Sequence, residues 1–157
     1  MKRRVTVDAR GDRVVVASWW SSAGKYGHVF LGEWVERADE PVSDEELGEL
    51  VRRAFRECRS GVPTPDFRGD PEFKKRVARL PSLAGVRGQT AYGRAARHVS
   101  VTCDDATGKI ILVPHESDSR GGFTGLEGLS LTIAAAVDDT ELGNAIRRSI
   151  AASKSFT

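Results

Sequence analysis

Two stretches of this chain, VSDEELGELVRRAF (42–55) and VDDTELGNAIRRSI (137–150), align without gaps and are identical at 7 of 14 positions. Ordinary residue usage gives roughly one chance match in a window that long, so the chain repeats a structural unit. Both copies carry the chemistry of a helix start. Ser43 with Glu46 three residues on, and Asp138 with Glu141, place a side-chain acceptor where the first turn has unpaired backbone N–H groups. Asp44, Glu45 and Asp139 add negative charge where the helix dipole favours it. Leu47, Leu50, Val51, Ala54, Phe55 and Cys58 recur at helical spacing, as do Leu142, Ala145, Ile146 and Ile150. Gly48 and Gly143 occupy equivalent places inside these helices, where glycine costs about 1 kcal/mol against alanine. Their equivalence predicts a close approach of each helix to a neighbour.

Strands precede each helix. Val5–Val7 and Val14–Ala17 flank the turn Arg10-Gly11-Asp12, and Val99–Cys103 and Ile110–Val113 flank Asp104–Gly108. A polar loop follows in each copy (21–27 and 116–122). A further strand then leads to the cap, Phe30–Arg37 first and Leu129–Ile133 second. The repeat therefore covers 5–58 and 99–153, with an unpaired linker at 59–98. Within the linker, Asp70 caps a short helix that begins at Pro71 and is expected to end at Pro81, and a second short helix is expected around 89–96. The result is one α+β domain over 1–157, with about six mainly antiparallel strands, two main helices and one or two short linker helices.

The chemistry-bearing residues are few. His28, His98 and His115 show no metal-ligand spacing, and Cys58 and Cys103 lie far apart, which reads as buried reduced thiols rather than a metal site or a disulfide. The 24 basic and 22 acidic residues leave a net charge of +2, too balanced for a nucleic-acid module, although the run Lys74-Lys75-Arg76 keeps that alternative open. No apolar run is long enough for a bilayer, and none follows the charged N-terminus as in a signal peptide, so a cytoplasmic protein without a membrane partner is expected. The glycine-rich 121–128 segment lacks the Gly-Lys-Ser/Thr of a phosphate loop and reads as a flexible connection. His115 and Asp118 are the nearest approach to a catalytic pair, for a small hydrolase or transferase. Neighbouring residues on a strand or loop point apart, which disfavours that role. No cofactor is implied.

The residues suited to contacting a partner lie where the two copies differ. Trp19 and Trp20 are adjacent on a strand and face opposite ways, so one faces away from the core and can anchor an interface. Trp34, in the strand before the first helix, is expected in the core. Trp20, Tyr26, Asp104, Asp105, Glu116 and Asp118, from the two long loops and the second hairpin turn, form the expected contact set.

The stretch GKIILVPHESDSRGGFTGLEGLSLTIAAAVDDTELGNAIRRSIAAS (108–153) and, before it, LAGVRGQTAYGRAARHVSV (83–101) resemble the immunity proteins of bacterial contact-dependent growth inhibition systems. The resemblance implies a cytoplasmic, non-catalytic protein that binds and neutralises a cognate toxin domain, often a nuclease. Inhibitors of basic nucleases are often strongly acidic, whereas here acidic residues gather only in local sets.

Overall fold

In the computed structural model, which describes residues 1–24 and 27–156, seven antiparallel strands form one open sheet. They are β1 (Lys2–Arg10), β2 (Arg13–Ser21), β3 (Val29–Asp39), β4 (Arg97–Asp104), β5 (Lys109–Ser117), β6 (Phe123–Gly125) and β7 (Leu131–Ala134). The spatial order is β3-β2-β1-β4-β5-β6, and β7 pairs the first half of β5 while β6 pairs its last residues. The extra strand beyond the expected six is β6. It arises inside the glycine-rich segment, which is therefore partly ordered sheet rather than a flexible connection throughout.

The helices are α1 (Asp44–Arg56), α2 (Pro71–Ala84), α3 (Gly88–Ala95) and α4 (Asp139–Ala152). Ser43 Oγ accepts the Glu46 N–H at 3.1 Å and Asp138 Oδ1 accepts that of Glu141 at 2.8 Å, as the repeat predicts. On the first face of the sheet, Val5, Val7, Val14, Val16, Val99, Val101, Ile110 and Leu112 meet Leu47, Val51, Leu142 and Ile146 of α1 and α4. All are buried, and each such side chain contributes about 1.5–3 kcal/mol. Cys58 and Cys103 lie in this core as free thiols, and Trp34 packs half-buried against its edge.

The linker helices cover part of the second face. Val15, Ala17, Leu31 and Val35 form a smaller core there with Leu80, Ala84 and Tyr92. Helix α2 does not stop at Pro81 but runs to Ala84. Proline lacks the N–H that would bond the Val77 carbonyl one turn back. The Gln89 side-chain amide supplies that bond at 2.9 Å, so the missing backbone donor is replaced from outside the helix. Arg76 and Arg79 donate to the Leu31, Glu33 and Val35 carbonyls along the outer edge of β3. Groups that would otherwise invite another strand are thereby covered, and Arg76 of the basic run is used inside the molecule.

The duplication is visible as a local twofold relation. Aligning Val5-Thr6-Val7 with Val99-Ser100-Val101 maps the β1–β4 register onto itself, because Val5 pairs Val101, Thr6 pairs Ser100 and Val7 pairs Val99. The helices obey the same relation. Arg52 donates to Asp139 Oδ1 at 2.8 Å and to the Ala135 and Val137 carbonyls. Arg147, its aligned counterpart, donates to Asp44 Oδ1, Glu40 Oε1 and the Val42 carbonyl. A Cβ added at Gly48 would lie 1.9 Å from the Asp139 carbonyl oxygen, and one at Gly143 would lie 1.8 Å from that of Asp44. Alanine at either site gains about 1 kcal/mol of helix propensity, yet meets backbone that cannot turn aside. Gly48→Ala and Gly143→Ala are each expected to destabilise by about 1–3 kcal/mol. Urea denaturation decides this; a stabilised variant would show that the helices separate freely.

Candidate functional site

A groove of about 680 Å³ opens on the second face, between the α2–α3 cover and the β5–β6 edge. Its floor comes from alternate residues of the central strands. Arg4, Thr6 and Asp8 project from β1, Trp19 from β2, and His98 and His115 from β4 and β5. Phe30, Phe67 and Phe73 form one wall, their rings meeting edge-on at 5.2–6.2 Å between centroids. Gly121 and Phe123 form part of the opposite side, and all three histidines of the chain line the groove.

At one end, a buried polar cluster sits under α3. Asp8, His98 and Tyr92 are 4%, 6% and 4% exposed, so each polar atom needs a partner. Asp8 Oδ1 lies 2.5 Å from His98 Nδ1, and Asp8 Oδ2 accepts the Tyr92 hydroxyl. Burial, and then the nearby Asp8 carboxylate, pushes the Tyr92 phenol well above its ordinary pKa. The His98 ring stacks on Phe123 at 3.9 Å and 5° and meets His115 edge-on at 4.8 Å. His115 Nδ1 is 2.9 Å from the Val113 carbonyl, to which it donates, leaving Nε2 as an acceptor in the neutral ring. Burial, and then His98, lowers the His115 pKa, which favours that neutral form.

An Asp–His pair can orient a general base; here the pair is buried, and the second Asp8 oxygen accepts the Tyr92 hydroxyl. Thr6, beside the pair on β1, has its hydroxyl engaged by the Trp19 indole N–H at 2.9 Å. Among the described residues no group of three or more His, Cys, Asp or Glu is placed to hold a metal ion. The cluster therefore fixes the floor of the groove and its cover.

At the other end Arg4 stands over the Trp19 ring, 5.6 Å from its centroid. Its guanidinium reaches solvent, yet the surrounding protein strips enough water to lower its pKa, and burial is the sole cause.

The expected contact residues do not converge. Trp20 is buried rather than exposed. Its indole N–H donates to the Glu57 carbonyl at 3.0 Å, and Arg59 and Arg76 lie near its ring at 5.0 and 4.9 Å. The tryptophan that faces the groove is Trp19. Tyr26 lies outside the described residues. Asp104 and Asp105 are in the β4–β5 turn, where Asp105 pairs with Arg3 at 2.7 Å and Asp104 Oδ1 accepts the Ala106 N–H. Glu116 is exposed near the far end of β5, about 20 Å away at roughly 3.3 Å per residue. Asp118 folds over its own loop, accepting the Arg120 and Gly122 N–H groups, which lower its pKa. Its carboxylate is thus committed to the loop, not to His115.

Sequence reasoning missed Asp8, Tyr92 and Arg4. The signal was the polar alternation Arg4, Thr6, Asp8, facing His98, Ser100 and Thr102 across β4, which reads as a solvated face until α3 is placed over it. Tyr92→Phe leaves Asp8 short of a donor and is expected to cost about 1.5–3 kcal/mol at pH 7. Because the folded-state pKa is raised, the tyrosine's contribution is fully present below its unfolded value near 10 and is lost as pH rises through the folded value. Denaturation at pH 7 and above pH 10 should show a shallower alkaline loss for the phenylalanine variant; equal losses would contradict the buried pairing.

Comparison with known proteins agrees with this architecture. No curated protein sequence matches the chain. Among solved structures, a protein of unknown function from Neisseria meningitidis superposes with a TM-score of 0.73 at 14% identity, covering 98% of this chain and 96% of that one. A chain of a CdiA-CT/CdiI toxin and immunity complex from Yersinia pseudotuberculosis gives a TM-score of 0.79 at 17% identity, covering 98% of both. At these identities the likeness establishes the shared fold. The CdiI family model, described as CDI immunity protein, matches residues 4–153. With almost the entire fold inside that match, the chain belongs to the CDI immunity protein family.

Proposed function

We propose that this immunity protein neutralises its cognate toxin domain by docking it over the second face of the sheet, with the groove at the centre of the contact. The observation that carries this reading is the groove itself, a concave, aromatic-walled site on a rigid sheet in a protein of this family. Such a cavity admits a protruding element of a partner and desolvates it, the setting in which a few residues dominate binding energy. Asp104 and Asp105 lie beside Lys2 at the Arg4 end of the sheet, Asp118 lies at the His115 end, and Glu116 is at that same end but points to the opposite face from its neighbour His115. They are proposed as flanking contacts that steer the approach, whereas Trp20 supports the site from beneath.

Inhibition on this reading is stoichiometric and non-catalytic, as membership of an immunity family suggests. The encounter is placed in the cytoplasm and the toxin is read as a nuclease, as the resemblance implies. No helix among the described residues is long and apolar enough to cross a membrane.

Co-expression with the toxin domain encoded beside this gene tests the proposal. The wild-type protein is expected to restore growth and to co-purify with the toxin. Phe67→Ala removes a groove-wall ring that is 42% exposed, and so should leave folding intact while weakening the complex about tenfold or more, equivalent to about 1.4 kcal/mol. Absence of protection by the wild type would sink the toxin-binding reading. An unchanged affinity for Phe67→Ala would move the contact away from the groove. Incubating the toxin with DNA and RNA, with and without the immunity protein, tests its assignment as a nuclease.

A further inference from the structure

We propose that the groove receives an acidic side chain of the toxin, flanked by apolar residues, and that Arg4 is its receptor. This rests on the groove being the docking site and names the chemistry of what enters it.

Charge complementarity carries the inference. Arg3, Arg37, Arg52, Arg53, Arg76 and Arg147 each pair with a carboxylate of the chain. Arg4 has no such partner among the described residues, although it stands on the central strand β1, whose backbone is bonded on both sides. Its backbone is therefore fixed, and, like Arg120 of the same groove, it carries a charge that pairs with no carboxylate among the described residues. The Trp19 ring supports one side of the guanidinium, 5.6 Å from its centroid, and leaves the other side open to the groove and solvent. A carboxylate arriving from a partner meets planar donors that match its two oxygens.

The rest of the lining points the same way. Asp8 is the one carboxylate among the residues that line the groove, and both its oxygens are taken, by His98 and by Tyr92. Arg120 adds a second cation, and the histidine rings add donors or acceptors without negative charge. A basic protrusion would find no free anion here and would face Arg4. The Phe30, Phe67 and Phe73 wall gives an apolar neighbour of the acid somewhere to pack. The acidic residues outside the groove then serve the approach, and the cation inside it fixes the register.

The test uses the full chain and its cognate toxin domain. Binding is measured by calorimetry for the wild type, Arg4→Gln, Arg4→Lys and Phe67→Ala, and against toxin variants in which each exposed Asp or Glu is changed singly to Asn or Gln. Circular dichroism and urea denaturation confirm that each variant is folded; Arg4→Lys keeps the charge if Arg4→Gln is unstable. The expected result is a loss of at least 30-fold for Arg4→Gln, a smaller loss for Arg4→Lys, and one toxin carboxylate whose removal weakens the wild type but adds nothing to Arg4→Gln. Wild-type affinity for Arg4→Gln, or additivity of Arg4→Gln with every toxin carboxylate, overturns the proposal. If Phe67→Ala weakens binding while Arg4→Gln does not, the groove remains the docking site and only the acidic anchor falls. If neither weakens it, both readings fall together. A single-stranded oligonucleotide that displaces the toxin in an Arg4-dependent way would reassign the groove to phosphodiesters and also overturn the proposal.

Discussion

Helices α1 and α4 approach each other so closely that each presents a glycine to the first turn of the other, and the rest of the sheet is arranged around that contact. Gly48 faces the Asp139 carbonyl and Gly143 faces that of Asp44, so two helix N-termini are held against two helix interiors. Such a meeting places the positive ends of both dipoles near each other. The first-turn acids Asp44 and Asp139 offset this, and each accepts from an arginine of the opposite helix. Arg52 and Arg147 then reach past the acid to carbonyls of the segment leading into the partner helix. One reciprocal device thus fixes the helix pair, its distance from the sheet and the entry path of both chains. The contribution of these half-exposed ion pairs is modest by itself; their effect is to select one packing among several that hydrophobic burial alone would allow.

The linker has no second copy, so it breaks the symmetry of the duplicated sheet. It lays α2 and α3 over the β2–β3 half of the second face and leaves the β4–β5 half with Ile111 exposed and Val113 half-covered. The groove is the boundary between the covered and uncovered halves. Its polar cluster is likewise a boundary device: Asp8 and His98 come from the duplicated strands, Tyr92 from the linker, and their hydrogen bonds tie the one to the other. A buried carboxylate without both donors would be costly, so this position specifies where α3 must lie.

Much of the scaffold was legible because it is written in short-range chemistry. The caps at Ser43 and Asp138, the hairpin turns and the helical apolar stripes each depend on residues a few positions apart, and they form as read. Where sequence and structure differ, a distant residue most often changes the local answer. Pro81 reads as a helix stop, but Gln89 satisfies the carbonyl that proline abandons. Trp19 and Trp20 were correctly assigned to opposite faces by alternation, yet which of them is covered depends on the end of α1 and on Arg59. Asp8 draws no attention in its alternating pattern and His98 reads only as a strand residue near a partly buried surface, because nothing in β1 or β4 announces that α3 will bury them. Conversely, Asp104 and Asp118 look free for a partner, but short acidic side chains in turns commonly bond their own backbone.

The net charge of +2 shows the same difficulty in another form. A whole-chain sum weighs all charges equally, whereas recognition responds to those that are fixed in place and left unpaired. Many arginines of this chain are spent on carboxylates or on backbone carbonyls, including Arg76 and Arg79, which close the β3 edge, and Arg97, which caps the end of α4. What such internal pairing leaves over defines the electrostatic character of the surface better than the total does. An immunity protein near neutrality can therefore present a distinctly cationic groove and acidic turns on the same sheet. The residues of that face stand apart from the glycine contact between α1 and α4, so substitutions there need not disturb the helix pairing.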